Sequence, residues 1–289
     1  MTYFLEFFKN LTKKNNAGVL IYLMLNVFLL TWIFSSGFHD LKGLLMGLAV
    51  YGGSLIVALS PIGEWILRLQ MGCKKIERKD YLDRLLPLFS EVLTEARKIN
   101  PAIPKDVDLF MSNEIEPNAF ATGRKTICLT KGFLNYSDDE IKAVFAHEMG
   151  HLGNKDTDLI LVVTIGNFII TAIFIIFRFF INIVGLFTSI VSRSISMMIV
   201  NFFIDVILAL AMWAWTKVGL MLVMQSKRKS EYLADEFAFK CGYGEHLEKT
   251  LKSLNRGSGQ GIWANLMSSH PDIDNRINNL RDLKTSYNF

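Results

Sequence analysis

Cysteine is scarce in this 289-residue chain: Cys73, Cys128 and Cys241 are odd in number, far apart and in no C-x-x-C spacing. That excludes a disulfide framework and a thiolate metal site, and it fits a reducing, cytosol-facing location. A charge excess is missing too, since the formal net charge is only +4. The basic residues sit beside apolar runs without interleaved aromatics, so there is no nucleic-acid stripe and nucleic acid is not expected as a partner. The most informative absence is that of charge from long stretches. No charged residue occurs from Asn15 to Phe38, or from Gly43 to Gly63. Each run exceeds the roughly 20 apolar residues that cross a bilayer, so together they predict a membrane hairpin. The first run is too long for a signal-peptide core, lacks a clear cleavage site and is followed at once by the second, so its removal is not expected.

Apolar residues make up 51% of the chain and charged ones 20%, which fits neither a soluble domain nor a bare helix bundle. A third uncharged run, Leu159 to Phe177, ends at Arg178, placed to snorkel to the interface. A fourth, Ser194 to Thr216 and on past Lys217 to Met224, carries Asp205 near its middle with no evident partner. Lys9, Lys13 and Lys14 precede the first run, Arg68, Lys74, Lys75, Arg78 and Lys79 follow the second, and Lys227, Arg228 and Lys229 follow the fourth. Only Lys42 edges the first connection, so the positive-inside rule puts both termini and both polar segments in the cytoplasm, on the inner face of the cell membrane. The expected division is an N-terminal transmembrane hairpin at 1–63, a second one at 158–224, and one cytosolic domain assembled from 64–157 and 225–289.

Within the polar segments, Tyr81 to Asn100 has apolar residues at helical spacing, with Pro87 as a possible kink. Val107 to Met111 and Thr126 to Thr130 predict short strands around the turn-rich Glu116 to Gly123. Gly257, Ser258, Gly259 and Gly261 predict a flexible loop.

Ser137-Asp138-Asp139-Glu140 is a capping box with acidic residues at a helix's positive end, and Ile141, Val144, Phe145, Met149 and Leu152 form an apolar face behind it. On that helix stands His147-Glu148-Met149-Gly150-His151, an H-E-x-x-H pattern. Spacing of i, i+4 points both imidazoles at one metal, with Glu148 beside them as a general base for water. Catalytic zinc usually takes three protein ligands plus water, so one ligand is missing. Glu231 and Asp235, on one face of a helical stretch, supply a candidate: Glu231 as ligand, Asp235 fixing a histidine tautomer behind it. His39 and His246 have no metal spacing and are read as structural.

Here the chain resembles the HtpX family of membrane-bound zinc metallopeptidases, related to the CAAX prenyl endopeptidases. The resemblance rests on PNAFATG (Pro117 to Gly123), HEMGH (His147 to His151), Arg228 with Glu231 and Asp235 in RKSEYLAD, and HPDIDNRI (His270 to Ile277). It implies a gluzincin-like fold with Glu231 as third ligand and Asn118, Ala119 and Phe120 as an edge strand that binds extended peptide. It also suggests His270 and Arg276 near the developing oxyanion, against a helix-capping and ion-pairing role for both. Lys227 and Ser230 depart from residues common in the family.

The expected architecture is therefore a mainly α-helical integral membrane protein with four transmembrane helices and a cytosolic α+β zinc peptidase domain. The expected activity is hydrolysis of peptide bonds in misfolded or damaged membrane proteins, with one Zn²⁺ per chain, Glu148 as base, and polypeptide substrates and the lipid bilayer as partners. The alternatives are processing of prenylated C-termini and a zinc-stabilised scaffold without turnover.

Overall fold

The computed structural model describes residues 2–13, 16–255 and 273–287, so the Gly257 to Gly261 stretch and His270 lie outside the described residues. A short amphipathic helix α1 (Thr2–Leu11) precedes two uniformly apolar ones, α2 (Ala17–Phe34) and α3 (Leu41–Ala58). Asp40 turns the chain between them by accepting from the amides of Lys42 and Gly43 at 3.0 and 2.8 Å, which caps α3. Ser60 and Pro61 start α4 (Pro61–Gln70) immediately after, with proline at a position where no backbone N–H is needed.

Then come β1 (Lys74–Lys75), α5 (Lys79–Ile99), β2 (Asp108–Ser112), β3 (Ala119–Thr122) and β4 (Thr126–Thr130). α5 continues through Pro87 as one helix. The sheet order is β1-β2-β4-β3, parallel between β2 and β4 and antiparallel elsewhere, so β3 is an edge strand. It falls inside the stretch that composition marks as turn. A 3-10 turn at Lys131–Asn135 leads to α6 (Asp138–Asn154), whose capping box is formed: the Ser137 amide donates to Glu140 at 2.9 Å.

The remaining described residues form four helices: α7 (Asp156–Ser192), α8 (Ile195–Lys240), α9 (Gly244–Asn255) and α10 (Ile273–Tyr287). Among the described residues, four helical stretches are long and apolar enough to cross a bilayer: Ala17–Phe34, Leu41–Ala58, Ile170–Ser192 and Ile195–Gly219. The chain is a multi-pass membrane protein. Its third apolar segment does not stop at Phe177 as the charge pattern suggests, because α7 continues unbroken past Arg178. Arg178 finds a partner on the next helix. Its guanidinium forks onto Asp205 of α8, with Nη2 at 2.5 Å from Oδ2, and Asn182 adds a hydrogen bond of 2.7 Å to the same carboxylate. Two opposite charges on adjacent helices cancel where a lone charge could not remain in apolar surroundings.

Two cores result. One joins α5, the sheet and α6 to the end of α8, α9 and α10, including Leu85, Phe89, Phe145, Ala238, Leu247 and Leu280. Sequence separated by the second hairpin thus shares one interior. The other core unites α1 to α4 with the start of α7 through residues such as Val19, Leu30, Tyr51, Leu67 and Val162.

Candidate metal centre

α6 supplies His147 and His151 one turn apart, and α8 crosses it with Glu231 and Asp235 one turn apart. The close crossing requires Gly150: a Cβ there would meet the Ala234 Cα at 3.0 Å. Ala234 is itself fully buried, so two small residues bring the helix carrying Glu231 onto the helix carrying the histidines.

Ligand atoms of His147, His151 and Glu231 all lie within 4.8 Å of one another, and all three side chains are buried. Among the described residues this is the group of at least three histidine, cysteine or acidic side chains so gathered. Two imidazoles and a carboxylate are a donor set that suits zinc, and three protein ligands leave a position for water or substrate. The residues fit the ion.

Behind the ligands the carboxylates are fixed in turn. Asp235 Oδ1 lies 2.9 Å from His147 Nδ1, which leaves Nε2 as the atom facing the metal position. Arg276 on α10 is fully buried and forks onto Asp235 at 2.7 and 2.6 Å, with its third nitrogen 2.9 Å from Glu231 Oε2. Asp156, at the start of α7, sits 3.4 Å from His151 Nδ1. Burial and the Arg276 charge oppose protonation of His147, but hydrogen bonds to Asp235 and Glu231 outweigh them and hold its pKa above the ordinary value. Burial likewise opposes protonation of His151, and Asp156 with Glu231 overcomes it, raising that pKa to about 10. Burial would raise the Asp235 pKa, yet Arg276 and His147 keep it below the usual carboxylate value.

Glu148 is buried next to the pair, and its Oε2 accepts from the Ala121 amide at 2.6 Å. That bond places edge strand β3 directly against the catalytic helix. Asn118, Phe120 and Thr122 face Thr130, Cys128 and Thr126 on β4, with the Thr130 amide donating to the Asn118 carbonyl at 2.9 Å. Antiparallel alternation therefore turns the backbone of Ala119 and Ala121 the other way, toward α6. A cavity of about 50 Å³ opens there, lined by Asn118, Ala119, His147, Glu148, Arg276 and the apolar walls of α9.

Six residues singled out from sequence thus converge: His147, Glu148, His151, Glu231, Asp235 and Arg276. Asn118 and Ala119 border the same cavity, while the Phe120 side chain packs on the opposite sheet face with Phe110 and Cys128. His270 is outside the described residues. Sequence reasoning missed Asp156 and Ala121. Asp156 had a signal, an acidic residue just past the turn that ends the histidine helix; Ala121 had none, because it acts through its backbone.

The model of peptidase family M48 matches residues 88–284, well over half of the chain and all of the described site. The chain belongs to peptidase family M48. Among curated proteins, Protease HtpX of Shewanella pealeana is 29% identical over 272 residues, covering 83% of this chain and 88% of that one. Protease HtpX of Pseudomonas putida is 29% identical over 277 residues, covering 84% and 86%. A solved structure, that of S. mikatae Ste24p, aligns with a TM-score of 0.46 at 21% identity over 88% of this chain, which spans 61% of that longer one. As an M48 member the chain is a membrane metallopeptidase acting on polypeptides, and the buried triad is its candidate metal site.

Proposed function

We propose that this M48 peptidase is a zinc endopeptidase of the inner membrane that cleaves misfolded or damaged membrane proteins from the cytosolic side. The observation that carries the reading is Glu148 poised between a buried His-His-Glu triad and an edge strand. His147, His151 and Glu231 hold the ion, and Asp235 and Arg276 position them. A bound zinc ion supplies Lewis acidity toward the scissile carbonyl and toward water. Glu148 takes the proton of the attacking water and returns it to the departing amine. Arg276 spends its guanidinium on Asp235 and Glu231, so its role in this reading is to keep both carboxylates aimed rather than to bind the oxyanion.

An extended peptide adds along β3, which favours unfolded chains, since a folded one cannot present a strand to a cavity this narrow. The basic clusters flanking the hairpins support a cytosolic domain built from 64–157 and 225–289, with membrane hairpins at 1–63 and 158–224. α7 and α8 run across the proposed boundaries without a break, so membrane and catalytic parts share helices.

The test is cleavage of an unfolded membrane protein by detergent-purified, zinc-loaded enzyme. Glu148→Gln is expected to retain zinc and to lose about 10³-fold in kcat. Full cleavage by that variant would overturn the mechanism.

A further inference from the structure

The turn between β3 and β4 is held from two sides by residues that adjoin the membrane hairpins. Glu64 of α4 is buried, and its Oε1 accepts from the amides of Arg124 and Lys125 at 3.2 and 3.3 Å and from the Thr126 hydroxyl at 3.0 Å. Arg68, one turn further along α4, donates to the same hydroxyl at 3.0 Å. The Arg124 side chain returns to the Leu59 carbonyl at the end of the first hairpin. From the other side Thr157, at the start of α7, donates to the Gly123 carbonyl at 2.5 Å. Gly123 has φ +60°, and a Cβ on it would lie 2.4 Å from the Glu64 carboxyl carbon, so the tight turn is built around that carboxylate. Meanwhile α4 keeps Ile62, Trp65 and Leu69 exposed on its other face, directly after a membrane span, where an apolar stripe with a tryptophan meets the lipid interface.

A buried carboxylate that accepts three hydrogen bonds from one turn is a stiff clamp, because losing it leaves backbone donors unsatisfied. The clamped turn leads straight into Ala121, whose amide contacts Glu148. We propose that Glu64 is a positioning residue for peptide binding: from the juxtamembrane helix it fixes the β3–β4 turn, and through it the placement of the edge strand over the catalytic glutamate. This rests on the reading of β3 as the strand that receives substrate. The fixed point of the substrate cleft is then the membrane hairpin rather than the core of the soluble domain.

The experiment uses the full chain in detergent, zinc-loaded, with two probes: an extended peptide substrate and the same peptide with N-methylated backbone amides, which cannot pair with a strand. Glu64→Ala is expected to lower kcat/KM for the unmodified peptide about tenfold, carried by KM, with zinc content near that of the parent and a lower Tm, since the donors of the turn lose their acceptor. Its preference for the unmodified peptide should shrink. Glu64→Gln retains the accepting oxygen and should recover most of the loss. Unchanged KM in Glu64→Ala, or no recovery in Glu64→Gln, overturns the proposal. Should Glu64→Ala fail to fold, Thr126→Val removes the hydroxyl that donates to Glu64 and accepts from Arg68 with little change in volume, and a KM raised about threefold supports the clamp while an unchanged KM refutes it. If the parent enzyme does not distinguish the two peptides, the edge-strand reading itself has failed and the Glu64 role falls with it.

Discussion

His147 and His151 each present one nitrogen to the metal position only because the other is held: Asp235 takes His147 Nδ1 at 2.9 Å and Asp156 approaches His151 Nδ1 at 3.4 Å. These carboxylates have a consequence for pH. With the His151 pKa raised to about 10 and that of His147 also raised, protons compete with an ion for the imidazoles. Binding must expel those protons, because only a deprotonated nitrogen coordinates. Apparent zinc affinity should therefore rise with pH, about tenfold per unit for each proton displaced, and level off above the raised pKa. Competition titrations with a chelator of known affinity between pH 6 and 9 check this, and a flat profile would contradict it. At this scale the ligands are legible from spacing, since i, i+4 histidines on a capped helix leave few other meanings. Glu231 is legible only as the answer to a missing ligand. Ala121 is not legible at all, for a backbone amide leaves no trace in residue identity.

Two elements, α6 and α8, carry all three candidate metal ligands, and their separation is set by Gly150 against Ala234. Gly150→Val inserts a branched side chain where even a Cβ is tight, and should cost about 1–3 kcal/mol while pushing Glu231 outward. A lowered Tm together with reduced zinc occupancy is the expected result; full occupancy at an unchanged Tm would show that the crossing is not what assembles the site. The helices of the soluble part are readable from their apolar period and their caps, as the formed Ser137–Glu140 box shows. Composition alone hides β3, because Pro117, Asn118 and Gly123 give its neighbourhood a turn composition; only the family resemblance implies an edge strand there, and its strand character comes from pairing with β4. The unbroken course of α7 is hidden for a related reason. A single arginine ends an uncharged run in sequence, but its partner is 27 residues away on the next helix.

Over the whole molecule, the second membrane hairpin lies between the two halves of the site, so α7 leaves from the histidine helix and α8 returns with Glu231. The Arg178–Asp205 pair ties the hairpin's two arms together part-way along their length. Arg178→Ala leaves the Asp205 carboxylate without its partner on the neighbouring helix and should lower the thermal stability of the protein. The double change Arg178→Leu with Asp205→Leu removes both charges and should lie closer to the parent. Thermal unfolding in detergent or bicelles measures this, and a double variant less stable than the single one would contradict the pairing. The membrane spans are legible from charge-free length, and their orientation is expected from the basic flanks. What length cannot convey is that a hairpin crossing the bilayer aligns a ligand on its far side with two on its near side. That assembly is tested most directly by zinc stoichiometry of the purified full chain in Glu231→Ala and Glu148→Gln, measured in parallel with peptide cleavage. Glu148→Gln should hold one zinc per chain without turnover, and Glu231→Ala should lose both zinc and turnover. One tightly held zinc in Glu231→Ala would contradict it.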